Sequence, residues 1–174
     1  MFNEGRWYAL QVRPFSEHIS ESILAAKGYE TFLPTYTRKS GIRRQKNREL
    51  ALFPGYMFCR IVSYPSGKIL TTPGVIRVVG AGKQPIPVPD REIEDVRIVT
   101  RSWLPHQPWR ALAEGSYVRI ESGPMRTLQG ILVASQARRK LVITVTILQR
   151  SVAVELDANT VVSLVRGGGT HEQV

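Results

Sequence analysis

Apolar and polar positions alternate at the start of the chain: RWYALQVR, Arg6 to Arg13, puts Tyr8, Leu10 and Val12 on one side and Trp7 and Ala9 on the other. A period of two predicts a half-buried strand, which Pro14 ends. The period then lengthens. Ile19, Ile23, Leu24 and Ala26 form a helical stripe, with Ser16 as N-cap and Gly28 as the left-handed residue past the end. YETFLPTY predicts a second strand broken by Pro34, and Tyr56 to Val62 a third, apolar on both faces as at the centre of a sheet. After a break at Ser63 to Gly67, KILTTPG leads into the strand VIRVVG, Val75 to Gly80. The proline-rich AGKQPIPVPD reads as a loop. A helix is expected from Asp90, with Ile93, Val96, Val99 and Trp103 at helical spacing.

Beyond Leu104 the pattern changes again. LPHQPWRALA carries two prolines and no periodicity, so residues 104–113 are expected to be a linker after a domain spanning 1–103. Short strands then follow one another: SYVRIE, TLQGILVA, KLVITVTIL, SVAVEL and TVVSLV, separated by turn signals. Five such strands predict a small closed barrel over 114–166, because closure removes exposed edges. The tail, 167–174, is rich in glycine and expected to be disordered.

Charge sharpens this picture. The 174 residues carry a net charge of +10, which favours polyanionic partners. Residues 1–100 hold fifteen Lys/Arg and nine Asp/Glu, and six of the fifteen, Arg38, Lys39, Arg43, Arg44, Lys46 and Arg48, fall in TRKSGIRRQKNR without an acid among them. Ser40-Gly41 at its centre predicts a protruding hairpin or loop. No apolar run approaches the roughly 18–20 residues of a membrane helix, and the N-terminus lacks a signal-peptide layout, so a cytoplasmic protein without membrane contact is expected.

Catalytic chemistry finds little support. The single cysteine, Cys59, lies among apolar neighbours and reads as a buried, inert thiol. His18, His106 and His171 have no metal-ligand spacing and read as surface residues. Asp90, Glu92, Glu94 and Asp95 cluster at a helix start, where negative charge suits the dipole. With no phosphate-cradling glycine motif and no nucleophile beside a base, neither an enzyme nor a cofactor is expected.

Aromatic residues are more suggestive. In ELALFPGYMFCRI, Pro54-Gly55 places Phe53 and Tyr56 at a strand entrance, where burial is least complete. Tyr8, Phe53, Tyr56 and Phe58 come from neighbouring strands and are expected to share a sheet face. Trp7 and Phe58 read better as core, and Phe53 and Tyr56 as an exposed apolar patch of the kind that marks an interface.

WYALQVRP, LFPGYMFCRI, TPGVIRVVG and PIPVPDREI, in this order and spacing, resemble the N-terminal domain of NusG transcription elongation factors. EGSYVRIESGPMRTLQGILV resembles the KOW motif that opens their C-terminal barrel, and ILQRSVAVELD its later strands. The resemblance covers about residues 6 to 165. It implies an α+β chain: an antiparallel N-terminal sheet flanked by helices, then a small all-β, SH3-like KOW barrel. It also implies that an apolar depression, lined by Tyr8, Phe53 and Tyr56 with Leu10 and Val78, grips the clamp helices of the RNA polymerase β′ subunit. Thr71 and Thr72 fall where specialised members reach the β subunit. The basic stretch, Arg38 to Arg48, falls where the family carries a hairpin near upstream or non-template DNA, and six cations suit phosphate contact.

In the barrel the departures from the family pattern carry the information. Where Ile-Phe-Gly-Arg is usual, this chain has Ile147-Leu148-Gln149-Arg150, and Met125 stands in GPM where GPF is common. Lost aromatic anchors argue against the termination factor Rho as partner and leave a small-subunit ribosomal protein, bound by Ile147 and Leu148. The resemblance therefore implies a specialised antiterminator, with the housekeeping factor as the second reading. A ribosomal or other RNA-binding KOW protein is the alternative of another class.

Overall fold

The computed structural model describes residues 5–38, 48–62, 67–82, 84–109, 114–134 and 138–165. Its first sheet is built around β1 (Arg6–Val12), which pairs antiparallel with β5 (Tyr56–Ile61) on one side. On its other side β1 pairs with β6 (Val75–Val78) and with β9 (Pro87–Val88), and β2 (Thr31–Phe32) extends the sheet beyond β5. The stretch expected as a proline-rich loop thus contributes β9, and also the two-residue strands β7 (Gly80–Ala81) and β8 (Gln84–Pro85). Pro87 lies at an edge of the sheet, where a missing N–H costs no ladder bond.

Alternation along β1 and β5 divides the core in two. Leu10, Val12, Met57, Cys59 and Ile61 point to one face, where Leu24 of α1 (Glu17–Ala26) and Ile69 of α2 (Gly67–Leu70) cover them. Trp7, Ala9 and Phe58 point to the other, where α3 (Asp90–Arg101) contributes Ile93, Val96 and Val99. The second face is sealed by cations. The Arg97 guanidinium lies 4.9 Å from the Trp7 ring centre and 5.2 Å from that of Phe32, and both Arg97 and Arg60 pair with Glu30.

Helix α1 is not seated as its apolar residues predict. Ile19 is 61% exposed, Ala26 is exposed and Ile23 half-buried, whereas Glu17, Ser20 and Leu24 are buried. The Ser16 side chain makes no capping bond. The polar residues face inward because two turns present backbone groups that need partners. Glu17 Oε1 accepts the Gly55 N–H at 2.9 Å, and Ser20 Oγ donates to the Pro73 carbonyl at 2.9 Å. Gly74, at φ +87°, lets this second turn approach, since a Cβ there would sit 2.3 Å from Ser20 Oγ. Gly28 has the expected left-handed backbone, φ +86°. At the end of α3, Ser102 Oγ donates to the Val99 carbonyl, the backbone turns left-handed at Trp103, and the indole expected to pack is 93% exposed.

The second sheet runs β10 (His106–Trp109), β14 (Arg150–Leu156), β13 (Arg139–Val145), β12 (Gln129–Ala134), β11 (Ser116–Ile120) and β15 (Val162–Leu164), all antiparallel. Two expectations change here. The stretch expected as a linker supplies the edge strand β10, because its backbone groups find a ladder along β14. All five expected strands form, as β11 to β15, and β10 adds a sixth beside β14, with no β10–β15 pairing among the described residues. The strand expected over KLVITVTIL stops at Val145, and Thr146–Leu148 form a 3₁₀ turn. The tail lies outside the described residues.

Removing the inward carboxylate leaves the Gly55 N–H without its acceptor inside the fold. Glu17→Ala is expected to lower unfolding stability by about 1.5–3 kcal/mol, and Ile19→Ala by no more than about 0.5, both read from urea unfolding midpoints.

Candidate partner-binding surface

The Phe53-Pro54-Gly55-Tyr56 turn is closed by the Tyr56 N–H donating to the Phe53 carbonyl at 2.9 Å, with Gly55 at φ +80°. It is tied to the sheet where the Val12 N–H donates to the Gly55 carbonyl at 2.8 Å. The two aromatic residues then part. Phe53 is only 1% exposed and packs edge-on to Phe58, ring centres 5.8 Å apart. The expectation of an exposed Phe53 is therefore corrected: the turn folds its ring back beneath the sheet. Tyr56 remains half-buried at the strand entrance.

What lies over Tyr56 is the barrel. The Arg150 guanidinium sits 5.2 Å from its ring centre, and the preceding turn, with Ile147 and Leu148 half-buried, packs on an apolar cluster shared by both halves of the chain. That cluster runs from Trp7, Phe53, Phe58 and Val96 to Leu141, Ile143 and Val145. A carboxylate locks the edge of this seam. Glu92 of α3 accepts the Thr146 N–H at 3.0 Å and the Thr146 hydroxyl at 2.6 Å, serving the barrel's 3₁₀ turn as a cap from outside it. Beside the seam, Asp90, Arg91, Glu94, Asp95 and Ile98 line a cleft with Arg119, Thr127 and Gln129. Burial pushes the Asp95 carboxyl up from its ordinary range, and nearby Arg91 pulls the other way.

The residues expected to line one depression do not share a face. Tyr8, Leu10 and Val78 belong to the α1 side, Leu10 fully buried and the other two half-buried, while Phe53 and Tyr56 belong to the α3 side. Tyr56 pairs with Gln11 and Val78 with Leu10, so strand parity separates them. Thr71 is exposed, its hydroxyl donating to the Gly67 carbonyl. Thr72 is buried, accepting from Lys27 Nζ at 2.7 Å and donating to the Lys68 carbonyl at 2.8 Å. Met125, expected on the barrel's partner surface, is 1% exposed because the turn around it folds the thioether into the core.

Of the basic stretch, Arg38 and Arg48 pair across the end of a ladder between β3 (Thr35–Arg38) and β4 (Arg48–Ala51), the stem of the expected hairpin. Lys39, Arg43, Arg44 and Lys46 lie outside the described residues. Cys59 is buried, and burial pushes its thiol up to about 12, too high to ionise near neutral pH. Among the described residues no cluster of metal-ligating side chains occurs, and no helix is long and apolar enough to cross a membrane. Sequence reasoning missed Glu92 as a contact, because its partner lies 54 positions away and first-turn acids have an ordinary helical explanation. It also took His106 for a surface residue, whereas both its ring nitrogens lie near carbonyl oxygens, of Leu104 and of Thr35.

The family model for NusG, described as transcription termination factor NusG, matches residues 5–97, more than half of the 174. The chain belongs to the NusG family. The transcription termination/antitermination protein NusG of Borreliella burgdorferi is 31% identical over 126 residues, covering 66% of this chain and 68% of that protein. The NusG of Thermus thermophilus is 29% identical over 153 residues, covering 80% and 83%. Among solved structures, one titled "Domain interaction in Thermotoga maritima NusG" aligns over 87% of this chain and 93% of its own, with a TM-score of 0.55 and 20% identity, a likeness of fold. NusG proteins are transcription factors rather than enzymes.

Gln149 closes the 3₁₀ turn, its N–H donating to the Thr146 carbonyl at 3.0 Å. Its backbone is left-handed, φ +49° and ψ +39°, which an L side chain adopts at a cost and glycine does not. Gln149→Gly is expected to raise unfolding stability by roughly 0.5–1 kcal/mol, read from the denaturant midpoint.

Proposed function

We propose that this NusG-family chain is a specialised elongation factor that binds the RNA polymerase clamp helices with the N-terminal face around Tyr56, suppresses pausing and acts as a processive antiterminator in the cytoplasm. The observation that carries this reading is Tyr56 itself: an aromatic ring at the entrance of the sheet's second strand, backed by buried Phe53 and Phe58 and covered by Arg150 of the barrel. An aromatic anchor on an apolar bed suits the apolar side chains of a coiled-coil tip. Phe53 serves as the bed rather than as a contact. Tyr8 and Val78, on the other face, belong to a different surface, and Thr71 is the exposed candidate for a second contact with the β subunit.

The basic stretch from Arg38 to Arg48, Lys39, Arg43, Arg44 and Lys46 included, carries the charge for upstream or non-template DNA, and Arg38 and Arg48 pair at its base. In the barrel, Ile147, Leu148 and Arg150 form the surface for a small-subunit ribosomal protein, and the missing ring at Leu148 disfavours Rho. Both partner surfaces meet at the seam. A ligand for either one therefore competes with the other half of the chain, and the seam must open for both to be used.

Phe53→Ala is a poor probe, since truncating a buried phenylalanine costs about 3–5 kcal/mol of the fold itself. Tyr56→Ala is expected to keep the fold and weaken capture of core RNA polymerase at least tenfold, whereas Arg150→Ala, which uncovers Tyr56, strengthens it. Undiminished capture by folded Tyr56→Ala removes the clamp assignment. Transcription through a Rho-dependent terminator with purified polymerase separates the two family roles: suppressed termination on adding the protein supports the specialised one, and enhanced termination the housekeeping one.

A further inference from the structure

His106 opens β10, half-buried where the barrel sheet meets the N-terminal hairpin. Its Nδ1 lies 2.9 Å from the Leu104 carbonyl oxygen, and its Nε2 lies 3.1 Å from the carbonyl oxygen of Thr35 in β3. Both neighbours are acceptors only. A neutral imidazole has one N–H and one lone pair and can donate to one of them, whereas the imidazolium donates to both. We propose that His106 is a proton-sensitive bolt across the seam between the two halves of the chain: when protonated it ties Thr35 to the segment leading into the barrel, and when neutral it leaves one of those carbonyls facing a lone pair.

The other ionisable groups on the elements that meet at His106 have their own places. Glu49 on β4 accepts from the Thr35 hydroxyl at 2.5 Å, Glu155 on β14 pairs with Arg138, and Arg150 lies over Tyr56. Arg38 and Arg48 oppose each other across the hairpin, Tyr36 of β3 packs against the shared apolar cluster, and Arg101 ends α3. The sign follows from the bond count. Protonated, the ring donates to Thr35 and Leu104 at once; neutral, its single N–H is divided between the bond across the seam and the local one, so closure strengthens as pH falls. This holds whichever partner the open chain meets, and its test needs none.

The Thr146 N–H reports closure directly, because its acceptor is Glu92 in the other half of the chain. In the full-length protein, the hydrogen-exchange protection of that amide, corrected for intrinsic rate, is expected to be roughly five- to tenfold higher at pH 5.5 than at pH 8. His106→Gln keeps a single neutral donor and should abolish the dependence, while His18→Gln, altered at an exposed position of α1, should retain it. Protection of the Val154 amide within the barrel ladder serves as the folding control. A flat wild-type profile, or an equal slope in His106→Gln arising from a group such as Asp95, overturns the proposal.

Discussion

The bond from Glu17 to the Gly55 N–H is the contact on which the arrangement of the N-terminal half depends. A buried carboxylate is costly unless it is hydrogen-bonded, and here the turn that starts β5 supplies the donor. Because α1 spends Glu17 and Ser20 on two Pro-Gly turns, it settles with its most apolar residues turned partly outward. The same contact fixes where β5 begins, and hence which residues fall on which face.

That register has wide consequences, since side chains alternate across a strand. Starting β5 at Tyr56 places Tyr56 and Phe58 toward α3 and Met57, Cys59 and Ile61 toward α1. Phe53, just before the turn, is carried into the α3 core. An apparently continuous set of aromatic residues is thereby split into a hydrophobic bed, a rim residue and members of the opposite core. Of these rings Phe53 and Phe58 are enclosed, and Tyr56 stays half-buried at the rim.

The barrel meets that rim with the segment from Val145 to Arg150. Val145 ends the strand, Glu92 caps the following turn from the other half of the chain, and Gln149 takes a left-handed backbone that brings Arg150 over Tyr56. The seam combines shared apolar burial with a few bonds at its margin. Such an interface is stable yet divisible, because each margin bond is worth only about 1–3 kcal/mol.

Periodicity alone located the main strands, the two long helices and the change of architecture after Trp103, because a period of two or of 3.6 reflects a local choice of backbone. It also marked Trp7 and Phe58 as core, while the turn signal Ser40-Gly41 within the basic stretch lies outside the described residues. It did not decide how α1 would turn, that Phe53 would be buried, or that His106 and Glu92 would join the two halves. Those outcomes depend on backbone groups presented by distant segments: the turn at Gly55 to Glu17, the 3₁₀ turn at Thr146 to Glu92, and strand β3 at Thr35 to His106. A donor or acceptor created by one turn and answered by a side chain tens of residues away leaves no local pattern, so only the assembled chain could reveal it.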